Sequence, residues 1–192
     1  MANIFIIHGS YGNPEENWFP WLKGELEKLG HRVLVPQFPI PKEQDASYGG
    51  HVLGDWFGTF DQYRKFVDED TMFVSHSRGG VFLFQLFPSF KVSIRATFLV
   101  APWMVYHWYA KGSKKIDSFH EKPFDWEKIK KASRYFEIYQ STNDDTPVSE
   151  GEEIARKLGG NITIVENAGH FNVAYDKKYK KFDLLLERLK QK

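Results

Sequence analysis

Met72-Phe73-Val74-Ser75-His76-Ser77-Arg78-Gly79-Gly80 reads as an apolar strand that ends on a serine and turns straight into a helix start. A serine hydroxyl is a poor nucleophile at neutral pH, so a nucleophilic serine must be presented to a base and beside donors for an oxyanion. A sharp strand-to-helix turn does both. It lifts the hydroxyl above the sheet and aims the free N–H groups of the helix start at the reacting centre. Such a turn needs small residues two before and two after the nucleophile, and Ser75 and Gly79 fill those places around Ser77. The competing reading is that Ser75 or Ser77 only caps the helix beginning near Arg78.

Outward from this segment, short apolar runs alternate with stretches of helical spacing. Strands are expected at residues 4–7, 32–35, 71–75, 96–101, 135–140 and 162–166. Helices are expected across residues 16–29, 52–67, 78–87, 126–132, 150–158 and 175–191. Gly30 closes the first helix, and three prolines with Gly49-Gly50 make residues 36–51 a loop. Alternation of this kind predicts an α/β fold, a mostly parallel sheet of about six strands with helices on both faces. Continuously apolar runs such as Ile4-Phe5-Ile6-Ile7 suit strands covered on both sides. The 192 residues carry no repeat and no linker, so one domain over residues 1–192 is the expectation, burying roughly 70% of its extended-chain surface.

Bulk chemistry narrows the partners. With 26 basic and 25 acidic residues the net charge is +1, which gives no reason to expect nucleic acid or an anionic membrane. Cysteine is absent, which removes disulfides, thiolate metal sites and a cysteine nucleophile. The first residues lack a basic n-region and a long apolar run, so a cytoplasmic location is the default expectation. No H-x-H or H-E-x-x-H motif suggests a metal, and His8-Gly9-Ser10-Tyr11-Gly12-Asn13 fits no phosphate-binding loop. No metal and no cofactor are expected.

Gly169-His170-Phe171 follows the last expected strand directly, which puts His170 at the same sheet edge as Ser77. None of the other six histidines stands between the final strand and the final helix. Ser141-Thr142-Asn143-Asp144-Asp145 follows the fifth strand, so a carboxylate there could hold the imidazole of His170. One of the two aspartates is expected only to cap the next helix, as Asn- and Asp-rich turns do. Ser, Asp, His is the chain order of α/β-hydrolases. Each residue lies just past the end of a different strand, where open α/β sheets form ligand sites. An oxyanion hole would draw on the backbone N–H groups of Arg78 and Ser10, with His8 shaping the loop between β-strand and Ser10.

The chain resembles the small serine-hydrolase family of the retinoblastoma-binding protein 9 and bacterial YdeN types. The resemblance spans nearly the whole length. It rests on Ile6-Ile7-His8-Gly9, Trp18-Phe19-Pro20-Trp21-Leu22, His76-Ser77-x-Gly79, Phe124-Asp125-Trp126-Glu127-Lys128-Ile129, Asp144-Asp145 and Gly169-His170-Phe171. It implies a compact α/β-hydrolase core without a large cap, acting on simple esters or amides. It also implies that the second aspartate of the pair, Asp145, completes a triad with Ser77 and His170. Two departures stand out: Ser75 occupies the place of a smaller Gly or Ala, and the stretch from Asp145 to Ala155 looks about two residues short, which keeps Asp144 as the alternative.

Aromatic content is 17%, with 6 Trp and 17 Phe, and most of these rings are expected in the core. Residues 102–125 lack a clear period and carry Trp103, Tyr106, His107, Trp108 and Tyr109. Trp103 and Trp108 are expected to wall a modest acyl pocket, the alternative being that these rings are simply core. The functional expectation is a serine hydrolase cleaving small esters, with amides or thioesters as further substrates. A different class, a hydrolase-fold protein-binding module with incidental catalysis, is the alternative.

Overall fold

Six strands join in one sheet: β1 (Asn3–Ile7), β2 (Arg32–Leu34), β3 (Met72–His76), β4 (Ala96–Val100), β5 (Phe136–Ser141) and β6 (Asn161–Val165). Their order across the sheet is β2-β1-β3-β4-β5-β6, and every pairing is parallel. The computed structural model describes residues 1–41, 50–104 and 118–192. Successive strand side chains point to opposite faces, and both faces are covered. Phe5, Ile7, Phe73, Leu99 and Ile138 pack on one side, under α2 (Leu53–Asp61), α3 (Arg78–Leu86), α4 (Trp126–Ala132) and α5 (Val148–Leu158). Ile4, Ile6, Val74, Phe98 and Tyr139 pack on the other, under α1 (Phe19–Lys28) and α6 (Asp183–Leu189). This is the expected α/β-hydrolase architecture, and it accounts for the apolar runs.

Most of the aromatic excess is core. Phe5 stacks on Phe73 at 4.7 Å between ring centroids, and Phe38 stacks on Trp56 at 4.5 Å. Fully burying one such side chain stabilises by about 1.5–3 kcal/mol. Among the described residues no helix is long and apolar enough to cross a membrane.

Two helices are shorter than their periodicity suggests. The stretch expected to be helical over residues 175–191 holds a 3₁₀ turn at Lys177–Lys180 before α6. The Asp176 carboxylate accepts the Lys178 N–H at 2.9 Å and closes that turn. Phe182 then takes an extended backbone, φ −140°, and buries its ring against Phe171 and Tyr139. Likewise α2 stops at Asp61, and a 3₁₀ turn at Arg64–Phe66 finishes the segment.

Candidate active site

Ser77 stands between β3 and α3 with φ +53° and ψ −124°, a strained turn that costs about 1–3 kcal/mol for a non-glycine residue. Its N–H donates to the Val100 carbonyl and its carbonyl accepts from the Gly80 N–H, both at 2.9 Å. The strain is not isolated. Tyr11, Asn17, Ser77, Ala101, Asn167 and Phe171 are the non-glycine residues at positive φ among those described, and all lie in loops leaving the carboxyl edge of the sheet. Strained backbone concentrates at functional sites, and here it concentrates at one edge.

Gly79 lets α3 approach the end of β1. A methyl group on it would lie 2.6 Å from the Ile7 carbonyl oxygen and 2.8 Å from that of His8, both backbone atoms. Gly79→Ala should therefore cost about 1–3 kcal/mol through overpacking, read as a lower denaturant midpoint. Ser75 is fully buried, and its hydroxyl has no hydrogen-bond partner among the described residues. Only its size suits the site. Ser75→Ala should leave any catalytic activity intact and raise stability by up to about 1 kcal/mol, since it removes an unsatisfied buried hydroxyl; a melting curve with an activity assay checks both.

The loop after β1 arches over Ser77. A methyl on Gly9 would sit 3.0 Å from the Ser77 Cβ and 3.5 Å from its Oγ. His8 holds this loop. Its Nε2 accepts the Phe38 N–H at 3.0 Å, so Nδ1 carries the proton and donates to the Gly9 carbonyl at 2.8 Å. Burial pushes the His8 pKa down, which keeps the ring neutral in that role. Farther along, the Tyr11 N–H reaches His51 Nε2 at 3.3 Å and the Gly12 N–H reaches the Gly9 carbonyl at 3.3 Å. Ser10 N–H donates to no described residue. Arg78 supplies the N–H at the start of α3, where the first amides have no intrahelical acceptor.

His170 is tied down from both sides. Its Nδ1 lies 2.9 Å and 3.1 Å from the two carboxylate oxygens of Asp144, whose side chain is 1% exposed. That overturns the expectation that Asp145 makes this contact. Asp144 Oδ1 also accepts the Thr146 N–H at 3.1 Å, a local turn that rotates the next side chain outward. Asp145 is exposed and faces the Tyr175 hydroxyl.

Ser141 at the end of β5 and the loop residues Thr142 and Asn143 do not cap α5, whose N-cap is Pro147 with no side-chain bond. They cradle the histidine loop instead. Thr142 Oγ1 accepts the Asn167 N–H at 3.0 Å, Ser141 Oγ the Ala168 N–H at 2.9 Å and Asn143 Oδ1 the Gly169 N–H at 2.7 Å. Four consecutive side chains thus grip four consecutive residues, with Asp144 on the imidazole as the last rung. From the opposite side His76 Nε2–H donates to the His170 carbonyl at 2.8 Å, and Trp18 Nε1–H donates to the Phe171 carbonyl at 3.1 Å. Burial, with the neighbouring His170 second, pushes the His76 pKa down to about 3, so it stays neutral.

The rings of His76 and His170 are 4.9 Å apart, which brings Ser77 and His170 into one neighbourhood. The Ser77 hydroxyl makes no hydrogen bond to a described residue. Catalytic contacts of this kind are often loose without substrate and tighten in the complex. Sequence reasoning missed Trp18, His76 and the Ser141–Asn143 cradle. The one available signal was the unbroken run of acceptor side chains after β5.

Trp103 is only 8% exposed. Its ring stacks on His120 at 5.0 Å and lies under the Arg78 guanidinium at 5.4 Å, so it belongs to the core beside the site rather than to an open wall. Trp108 falls outside the described residues, as do Tyr106, His107 and Tyr109.

Comparison with known proteins agrees with the fold. The chain is 26% identical over 174 residues to the protein YdeN of Bacillus subtilis (strain 168), covering 88% of this chain and 85% of that one. It is 24% identical over 170 residues to the serine hydrolase RBBP9 of Rattus norvegicus, covering 86% and 85%. The YdeN crystal structure superposes with a TM-score of 0.82 at 22% identity, over 100% of this chain and 98% of that one. Est1E from Butyrivibrio proteoclasticus superposes at 0.67 with 18% identity, over 99% and 86%. The serine hydrolase family model matches residues 4–191, and the chain belongs to that family.

Proposed function

We propose that this hydrolase cleaves small carboxylic esters through an acyl-enzyme on Ser77, with His170 as general base and Asp144 as the residue that orients it. The observation that carries the reading is the Asp144 carboxylate on His170 Nδ1. A carboxylate at that nitrogen favours a proton on Nδ1 and a lone pair on Nε2, the tautomer a general base needs.

In the first half-reaction Ser77 Oγ attacks the ester carbonyl carbon while His170 Nε2 takes the hydroxyl proton. The imidazolium that forms is stabilised by Asp144. The carbonyl oxygen, now an anion, accepts from the N–H groups of Ser10 and Arg78. Collapse expels the alcohol, which receives the proton from His170. Water then repeats the sequence on the acyl-enzyme, releasing the acid and restoring Ser77. The ferulic-acid complex of Est1E, a carboxylic acid held in a neighbour of the same fold, is in keeping with this substrate class.

The test is stopped-flow hydrolysis of p-nitrophenyl acetate, butyrate and hexanoate, alongside fluorophosphonate labelling. A burst of p-nitrophenol and a labelled protein are expected. A folded protein that neither turns over these esters nor takes the label would favour the protein-binding module instead.

A further inference from the structure

Arg78 follows Ser77 directly, and its side chain is 1% exposed at the start of α3. A helix N-terminus carries partial positive charge, so burying a guanidinium there works against the helix dipole. The surroundings offset that cost. Its Cζ lies 4.9 Å from the Phe119 ring centroid and 5.4 Å from that of Trp103, within cation–π range. Its Nε–H donates to the Ser10 hydroxyl at 2.7 Å, across 68 residues of sequence. Ser10 and Arg78 are also the two residues whose backbone N–H groups face the developing oxyanion in the mechanism above.

We propose that the Arg78 side chain is a positioning residue, a clamp that sets the gap between the two oxyanion donors by holding Ser10 Oγ. The proposal rests on the acyl-enzyme reading. The elbow fixes Arg78 N–H, because Ser77 and Gly80 are bonded into β4 and α3. The Ser10 N–H sits on a loop whose other ties among the described residues run through His8, His51 and Gln37. Among the described residues, the Nε–Oγ bond is a direct side-chain tie between that loop and the helix start. With the clamp in place, both donors converge on one point. Without it, the Ser10 donor drifts relative to the Arg78 donor, and a fraction of an ångström matters for an oxyanion. Ground-state binding of the ester does not use these donors fully, so the loss falls on the transition state.

The experiment compares Ser10→Ala, Ser10→Thr, Arg78→Met and the double variant Ser10→Ala/Arg78→Met. The probes are p-nitrophenyl acetate for turnover and phenylboronic acid for the tetrahedral adduct on serine. Ser10→Ala should lower kcat roughly tenfold, the worth of one well-placed hydrogen bond to a charged group, with KM within about twofold. Affinity for the boronic acid should fall by the same factor. Ser10→Thr keeps a hydroxyl and should restore most of kcat. The double variant should be no slower than the slower single variant, as expected for two ends of one contact. The clamp is overturned if Ser10→Ala leaves kcat and boronic-acid affinity unchanged, or if the two substitutions act additively. A wild-type protein that fails to turn over the ester sinks the acyl-enzyme reading itself, a result distinct from either of those.

Discussion

Ser77→Ala should reduce kcat for p-nitrophenyl acetate by about 10⁶-fold, the loss seen when a catalytic serine is removed from a working triad. The residual rate would come from binding and from the oxyanion donors alone. The fold should survive. The Ser77 hydroxyl makes no hydrogen bond to a described residue, and the backbone bonds to Val100 and from Gly80 remain with alanine. The strained φ of +53° is unchanged in kind, because alanine and serine share a Cβ. A melting temperature within about 2 °C of wild type, together with the lost turnover, is the expected pair of results. Substantial activity in Ser77→Ala would remove the serine from the mechanism.

Asp144→Asn should cost about 10⁴-fold in kcat, since a neutral amide no longer favours the Nδ1–H tautomer or stabilises the imidazolium. The carboxylate is 1% exposed and contacts His170 Nδ1 through both oxygens, so no solvent charge replaces it. Asp145→Asn should change kcat by less than about threefold, because that side chain is exposed and points toward Tyr175. Steady-state kinetics on the two variants separates neighbours in sequence by some thousandfold in rate. The reverse ranking would restore the assignment that family resemblance suggested for Asp145.

That one-residue difference illustrates what sequence can carry. The positions of Ser77 and His170 at one sheet edge were legible because their signals are local: a strand running into Ser75-His76-Ser77-Arg78-Gly79, and Gly169-His170 after the last apolar run. The choice between Asp144 and Asp145 is not local. It depends on how the turn after β5 folds back on residues 167–170, and family resemblance alone pointed to the neighbour, Asp145. The same holds for Trp18, whose indole reaches a carbonyl 153 residues away, and for His76, 94 residues from its acceptor. Helix periodicity over residues 175–191 hid a break that the burial of Tyr179 and Phe182 demands. The strands were easier, since apolar runs covered on both faces leave little choice of element. Trp103 looked like a pocket residue from its company in sequence, yet its ring is spent on His120 and Arg78.

The most direct measurement is the site of covalent modification. Treating the native protein with a fluorophosphonate, digesting it, and fragmenting the peptide from β3 distinguishes Ser75 from Ser77. A single phosphonyl adduct on Ser77, lost in Ser77→Ala and kept in Ser75→Ala, is the predicted result. An adduct on Ser75 or on any other residue, or no adduct on the folded protein, would contradict it.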